Sequence, residues 1–252
     1  VTYRLCADAD GIDSVFQPGD TGLDIHASPV TDISPAHVDQ ATQQYLTLTC
    51  SSICSFNSVA FLSKEACGPI GSEGRKNAKS SLNTNSVPFI MLTETTFLVA
   101  FDASSLAIGH TYNLCVDLDG VAPAYSFGAS GRIYVRGVTA ISPRTLDTSS
   151  PSPITLSCPK GCSAVSMASI DLSCGGFRQS YDVDQASTSV AGKRTAAMSF
   201  SASGGAQYSI SVDAGHLTIG KHYQLCTDLD GVGGSQVLGN PALTVFISPM
   251  KT

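Results

Sequence analysis

No stretch of this sequence reaches the roughly 18 uninterrupted apolar residues that cross a bilayer as a helix. The richest segment, 87–101, is broken by Thr93, Glu94, Thr95 and Thr96, which excludes a membrane-spanning helix. Charge is scarce as well. Only 13% of residues are charged, and Lys+Arg 14 against Asp+Glu 20 leaves a net charge of −6. That balance argues against nucleic acid, which is normally met by a basic face. G-x-S-x-G, H-E-x-x-H and P-loop patterns are all missing, so nothing points to an enzyme. No Asn-x-Ser/Thr acceptor occurs, and Asn113-Leu114-Cys115 is a poor substitute for one, which removes the common glycosylation route. Helical periodicity and a signal peptide are absent too. The chain starts with Val, so we expect a piece processed from a longer precursor. What remains is 42% hydrophobic with 23 Gly and 12 Pro, a globular composition and not a disordered one.

What is present is repetition. Tyr3-Arg-Leu-Cys-Ala-Asp-Ala-Asp-Gly11 returns as Tyr112-Asn-Leu-Cys-Val-Asp-Leu-Asp-Gly120 and again as Tyr223-Gln-Leu-Cys-Thr-Asp-Leu-Asp-Gly231. The steps are 112 − 3 = 109 and 223 − 112 = 111 residues. Val30-Thr-Asp-Ile-Ser-Pro35 likewise returns as Val138-Thr-Ala-Ile-Ser-Pro143, each followed by an alternating strand ending in Cys50 or Cys158. A period near 110 is too long for a solenoid unit and suits whole domains in tandem. We therefore expect full domains at 30–138 and 139–252, preceded by a partial unit at 1–29.

Within a unit the local signal is β. Phe97, Val99 and Phe101 alternate with smaller or polar residues, as do Tyr208, Ile210 and Val212, which is the period of a half-buried strand. Turn signals such as Asp119-Gly120 and Asn240-Pro241 separate the runs. About seven short strands in about 110 residues predict an all-β fold of tandem β-sandwiches. Asp102 to Cys115 and Asp213 to Cys226 share the spacing Leu-x-Ile-Gly-x-x-Tyr-x-Leu-Cys. This resembles the E–F corner of immunoglobulin-like domains, and implies that Tyr3, Tyr112 and Tyr223 are corner tyrosines whose hydroxyls close back on the preceding turn. The opening Val-Thr-x-Ile-Ser-Pro with its Leu-Thr-Leu strand resembles strands A and B of the IPT/TIG branch. Two features depart from antibody domains: tryptophan is absent, and Tyr112 stands three residues before its cysteine instead of two.

Nine cysteines fall in register, four in each full unit plus Cys6. Matched sets of four predict two disulfides per unit and an extracellular or cell-surface location. Zinc is the alternative, but zinc sites favour C-x₂-C knuckles and the spacing here is C-x₃-C with two distant partners. Strand parity puts Cys50 with the core-facing Leu46 and Leu48, and turns Cys115 away from the core-facing Tyr112 and Leu114. The preferred pairs are Cys67–Cys115 and Cys50–Cys54, then Cys174–Cys226 and Cys158–Cys162, out of three connectivities per unit. Cys6 is left over, which suggests an inter-chain bond.

Residues 1–29 correspond to strands F and G alone. Two strands cannot bury an apolar face by themselves and leave edges open to other chains. The expected remedy is donation to a neighbouring chain by β-augmentation, giving a head-to-tail filament. In plan this is similar to extracellular helical glycofibrils whose Ig-like subunits are linked by an inserted N-terminal β-segment. The bland alternative is a chain start set by cleavage. The other function classes are a cell-surface adhesin or carbohydrate-binding array, and a non-catalytic accessory region of an extracellular enzyme.

Three further sets of residues invite a functional reading. The Asp-x-Asp-Gly triplets resemble the start of calcium loops, and only the first copy has extra acids, making Asp8, Asp10, Asp13 and Asp20 the calcium candidates. The bland reading is a turn start, because Asp and Gly tolerate positive φ. The Ser/Thr/Pro-dense segment 147–155 offers Thr148, Ser149, Ser150, Ser152 and Thr155 as O-glycosylation candidates, or else an exposed polar loop. Five histidines share no repeated position with a nucleophile, so no catalytic set emerges and no cofactor is expected.

Overall fold

The computed structural model describes residues 2–8, 19–51, 53–67, 79–120, 127–149, 151–174, 188–234, 236 and 238–250. All of its regular structure is β. Two strands, β1 (Thr2–Ala7) and β2 (Gly19–His26), form a sheet of their own.

The first sandwich follows. Its strands are β3 (Val30–Ser34), β4 (His37–Val38), β5 (Gln44–Cys50), β6 (Val59–Ser63), β7 (Val87–Pro88), β8 (Ile90–Met91), β9 (Thr96–Phe101), β10 (Thr111–Asp117) and β11 (Gly128–Val135). One sheet runs β3-β5-β9-β8 and the other β4-β11-β10-β6-β7. The second sandwich repeats the plan with β12 (Ala140–Ser142), β13 (Thr145–Asp147), β14 (Ser152–Ser157), β15 (Met167–Asp171), β16 (Met198–Ser199), β17 (Ser201–Gly204), β18 (Gln207–Val212), β19 (His222–Asp228) and β20 (Thr244–Ser248). Its sheets run β12-β14-β18-β17 and β13-β20-β19-β15-β16. Two stacked sheets of this strand order define tandem immunoglobulin-like β-sandwiches.

Two crossings recur in both copies. The first strand leaves one sheet and joins the other: β4 pairs in parallel with β11, and β13 with β20. The switch falls at Ser34-Pro35 and Ser142-Pro143, both cis. The chain crosses again at Phe89 and Phe200, each buried and each packed at a tilt against a neighbouring ring, Phe97 and Tyr208. The cores follow from the period of two. Leu46, Leu48, Phe97, Val99, Tyr112 and Leu114 point inward in the first sandwich, and Ile154, Leu156, Ile210, Val212, Tyr223 and Leu225 do so in the second. Each core is a separate apolar cluster, as expected when each unit folds around its own two sheets. Residues 147–155 are not one long loop. The segment is bounded by β13 and β14, because Asp147 and Ser152 onward take up ladder pairs.

Candidate functional site

The E–F corners are closed by their tyrosines. The Tyr112 hydroxyl donates to Ser81 O at 2.6 Å and accepts from Ala107 N at 2.9 Å. The Tyr223 hydroxyl donates to Gly192 O at 3.0 Å and accepts from Thr218 N at 2.9 Å. A ring buried in the core thus satisfies one amide of its turn and one carbonyl of a distant segment with a single hydroxyl, which a buried polar tip must do. Disulfides join Cys50 to Cys54, Cys67 to Cys115, Cys158 to Cys162 and Cys174 to Cys226. The two long-range bridges lie outside the main cores, Cys115 beside Phe61 and Phe127 and Cys226 beside Leu238.

The hairpin has the same local grammar without the cover. Tyr3 pairs with Ile25 and Leu5 with Leu23, and the register slips between Leu5 and Cys6 as it does between Leu114 and Cys115. Tyr3, Leu5, Leu23 and Ile25 therefore share one face. They are 57, 40, 60 and 52% exposed, whereas Tyr112, Leu114 and Ile133 at the equivalent places are 0% exposed. No third strand among the described residues pairs with this sheet. Opposite that face, Arg4 Nη1 meets Asp20 Oδ2 at 2.6 Å. Cys6 is the free cysteine among the described residues and is exposed.

Two of the aspartate triplets set a buried carboxyl beside a half-buried one at positions that the sequence marks as turn starts. Asp117 lies against Asp119 and Asp228 against Asp230. Burial first, and the neighbouring carboxyl second, push Asp117 up to about 6 and Asp228 up to about 7. A proton shared between two carboxyls is the usual outcome of such crowding. It also accounts for the otherwise unpartnered Asp119 Oδ1 and Asp228 Oδ2. The bend is completed by a buried serine, Ser58 Oγ donating to Leu118 O at 2.7 Å and Ser166 Oγ to Leu229 O at 2.8 Å.

The remaining candidates scatter. Of the calcium set, Asp10 and Asp13 lie outside the described residues, Asp8 is exposed, and Asp20 is engaged by Arg4 and by Gly22 N at 2.8 Å. No group of three or more His, Cys, Asp or Glu among the described residues is placed to hold a metal ion. Of the glycosylation set, Ser149 and Thr155 are exposed, Thr148 and Ser152 are half-buried, and Ser150 lies outside the described residues. The Ser149 hydroxyl donates to Asp147 Oδ1 at 2.5 Å, which caps the loop. Burial lowers His26, His37 and His110, His37 to about 4 with help from the Arg136 charge. No helix among the described residues is long and apolar enough to cross a membrane.

The joints between units escaped sequence reasoning. Tyr134 reaches from β11 into the second sandwich, where its hydroxyl lies 3.1 Å from Thr227 Oγ1. Arg136 holds Asp39 with two bonds, at 2.7 and 3.2 Å, and donates to Pro241 O at 3.4 Å. The one sequence signal for these joints is the glycine that recurs at matching repeat positions, Gly128 and Gly239.

No family model matches the chain, and no curated protein does. Among solved structures it is similar to the plexin A4 extracellular region, at 13% identity and a TM-score of 0.25, over 86% of this chain and 16% of that one. An ICAM-5 ectodomain fragment is 11% identical with a TM-score of 0.23, over 86% of this chain and 54% of its own. The IG1+IG2 fragment of DIP-gamma is 10% identical with a TM-score of 0.20, over 84% and 94%. The chain thus spans only part of the plexin and ICAM-5 chains that it matches.

Proposed function

We propose that the protein is a structural subunit of an extracellular filament that polymerises head-to-tail by donating its N-terminal β-hairpin. The uncovered face of Tyr3, Leu5, Leu23 and Ile25 carries this reading, because the positions matching Tyr3, Leu5 and Ile25 are core in both sandwiches. Burying such side chains is worth roughly 1.5–3 kcal/mol each. Strand donation adds main-chain hydrogen bonds to that gain, and a head-to-tail contact that does not close grows into a fibre. Both sandwiches already hold their own F and G strands, β10 with β11 and β19 with β20. The acceptor is therefore a half-module of the neighbouring subunit that supplies strands A, B, C and E. Cys6 aligns with Cys115 and Cys226, whose partners are Cys67 and Cys174. An acceptor cysteine at that partner position would lock the contact covalently. The four disulfides support an oxidising location outside the cell. Glycans on the exposed Ser149 or Thr155 would lie on the outer surface of the second sandwich, clear of its core.

Negative-stain microscopy and non-reducing peptide mapping of the native protein test this reading. Regular fibres with Cys6 linked to a second polypeptide are expected. Monodisperse particles with a free Cys6 thiol would refute it. In the same assay L5D combined with I25D is expected to abolish fibres while leaving both sandwiches folded.

A second reading, a cell-surface adhesin or carbohydrate-binding array, is favoured by one feature. A groove of about 650 Å³ opens beside the root of the hairpin, lined in part by His26, Ser28, Asn113, Ser130 and Arg132. Polar groups converging in a concavity suit a hydroxylated ligand. Saturable binding of sugars to the chain, lost on R132A, would favour this reading over the first.

A further inference from the structure

The hairpin sits on the first sandwich in the way that the first sandwich sits on the second. His26 and Tyr134 occupy the same place in the repeat, and each lays its ring against a glycine of the next unit. A Cβ on Gly128 would overlap the His26 imidazole, and one on Gly239 would overlap the Tyr134 ring. Two residues further along, Ser28 Oγ donates to Ser130 Oγ at 2.7 Å and Arg136 Nη1 donates to Pro241 O at 3.4 Å. Ser130 and Pro241 each stand two places after that glycine. One joint has been used twice.

Its second use has a further part that the first lacks. The E–F corner of the first sandwich reaches onto the second: Ile108 rests on the bare backbone of Gly161 and beside Leu229. The Gln236 carboxamide covers Gly109, and its Nε2 donates to Ile108 O at 3.4 Å. At the first joint the matching seat is Ile53 with Leu118, since Cys50 and Cys54 align with Cys158 and Cys162. Ile53 and Gly161 share a left-handed backbone, with φ of 58° and 83°. That conformation strains a β-branched residue and suits glycine. Ile53 is nevertheless there, 60% exposed, and Phe56 on the same loop is 69% exposed.

We infer that Ile53 and Phe56 are the seat for the E–F corner of the module that the hairpin's partner completes. The inference rests on the proposed completion of the hairpin, and its partner is a half-module of this same repeat. Continuity with the joint between the two sandwiches specifies where the corner lands. Shape specifies its chemistry: knob and hole are exchanged, with Ile53 filling from below the space that Ile108 fills from above at Gly161. The incoming corner therefore carries a small residue at the Ile108 position, because close-packed interfaces tolerate one knob per hole.

Hydroxyl-radical labelling of the native protein, assembled and then dissociated by mild reduction of the exposed Cys6 bond followed by dilution, reads both levels at once. Tyr3 reports the hairpin and Phe56 reports the corner seat. Several-fold slower labelling of both on assembly is the expected result. Protection of Tyr3 with Phe56 unchanged overturns the corner seat and leaves the completed hairpin standing. An unprotected Tyr3 overturns both, whatever Phe56 does.

Discussion

Tyr112 and Tyr223 each place a single hydroxyl at the end of a fully buried ring, where it bridges a turn amide and a carbonyl about thirty residues away. Removing the hydroxyl leaves both backbone groups short of a partner. Y112F or Y223F is expected to lower the stability of its own sandwich by about 1–3 kcal/mol, measured by denaturant unfolding. The crowded carboxyl pairs act in the opposite sense. An unfolded aspartate titrates near 4, while folding raises Asp228 to about 7. The native state therefore holds an extra proton between about pH 4 and pH 7, and stability falls as pH rises through that window. D228N keeps an acceptor for the amides of Asp230 and Gly231 and replaces the shared proton with a permanent donor. The stability of its second sandwich is expected to fall less steeply than the parent's between pH 4 and pH 8, and to lie above the parent's at pH 8. A slope unchanged from the parent in a pH series of melting temperatures would remove the shared-proton account.

At the scale of elements, the two kinds of disulfide do different work. Cys50–Cys54 and Cys158–Cys162 close loops with a sequence separation of 4, whereas Cys67–Cys115 and Cys174–Cys226 span 48 and 52 residues. A longer loop loses more freedom when closed in the unfolded chain. The C67A/C115A double variant is therefore expected to cost about 2 kcal/mol more than C50A/C54A on the chain-entropy account. Equal losses in denaturant titrations would point to native-state packing instead. Strands were the most legible elements, since Phe97, Val99 and Phe101 alternate over a run that the ladder with β5 then uses in full. The crossings at Phe89 and Phe200 were not legible. An aromatic residue between two short strands looks the same whether the chain continues in one sheet or changes to the other.

The whole molecule is a series of units held by a repeated joint. Tyr134, Arg136 and Gln236 fix the first sandwich on the second, while Arg136 is anchored at its other side by Asp39. G239V would drive a branched side chain into the Tyr134 ring and is expected to free the two sandwiches from one another without unfolding either. Small-angle scattering should then show a wider distribution of maximum dimension, and proteolysis should reach the 137–139 linker. An unchanged profile would mean that the joint does not hold the sandwiches in solution. The carboxyl pair of Asp228 and Asp230 lies at this joint, where Gln236 N donates to the Asp230 carboxylate at 3.1–3.2 Å.

Periodicity at two lengths is enough to establish the β-sandwich fold from the sequence alone. A period of two residues made strands, and a period near 110 made whole sandwiches, because both are local or register properties that a linear pattern carries. Which faces meet between units was another matter. Gly128 and Gly239 are informative only once His26 and Tyr134 are known to lie over them. The carboxyl of Asp228 is pushed up to about 7 only because folding strips water from it and sets Asp230 beside it. Contacts and desolvation of this kind join residues distant along the chain, and they exist as physical quantities only after the chain has closed on itself.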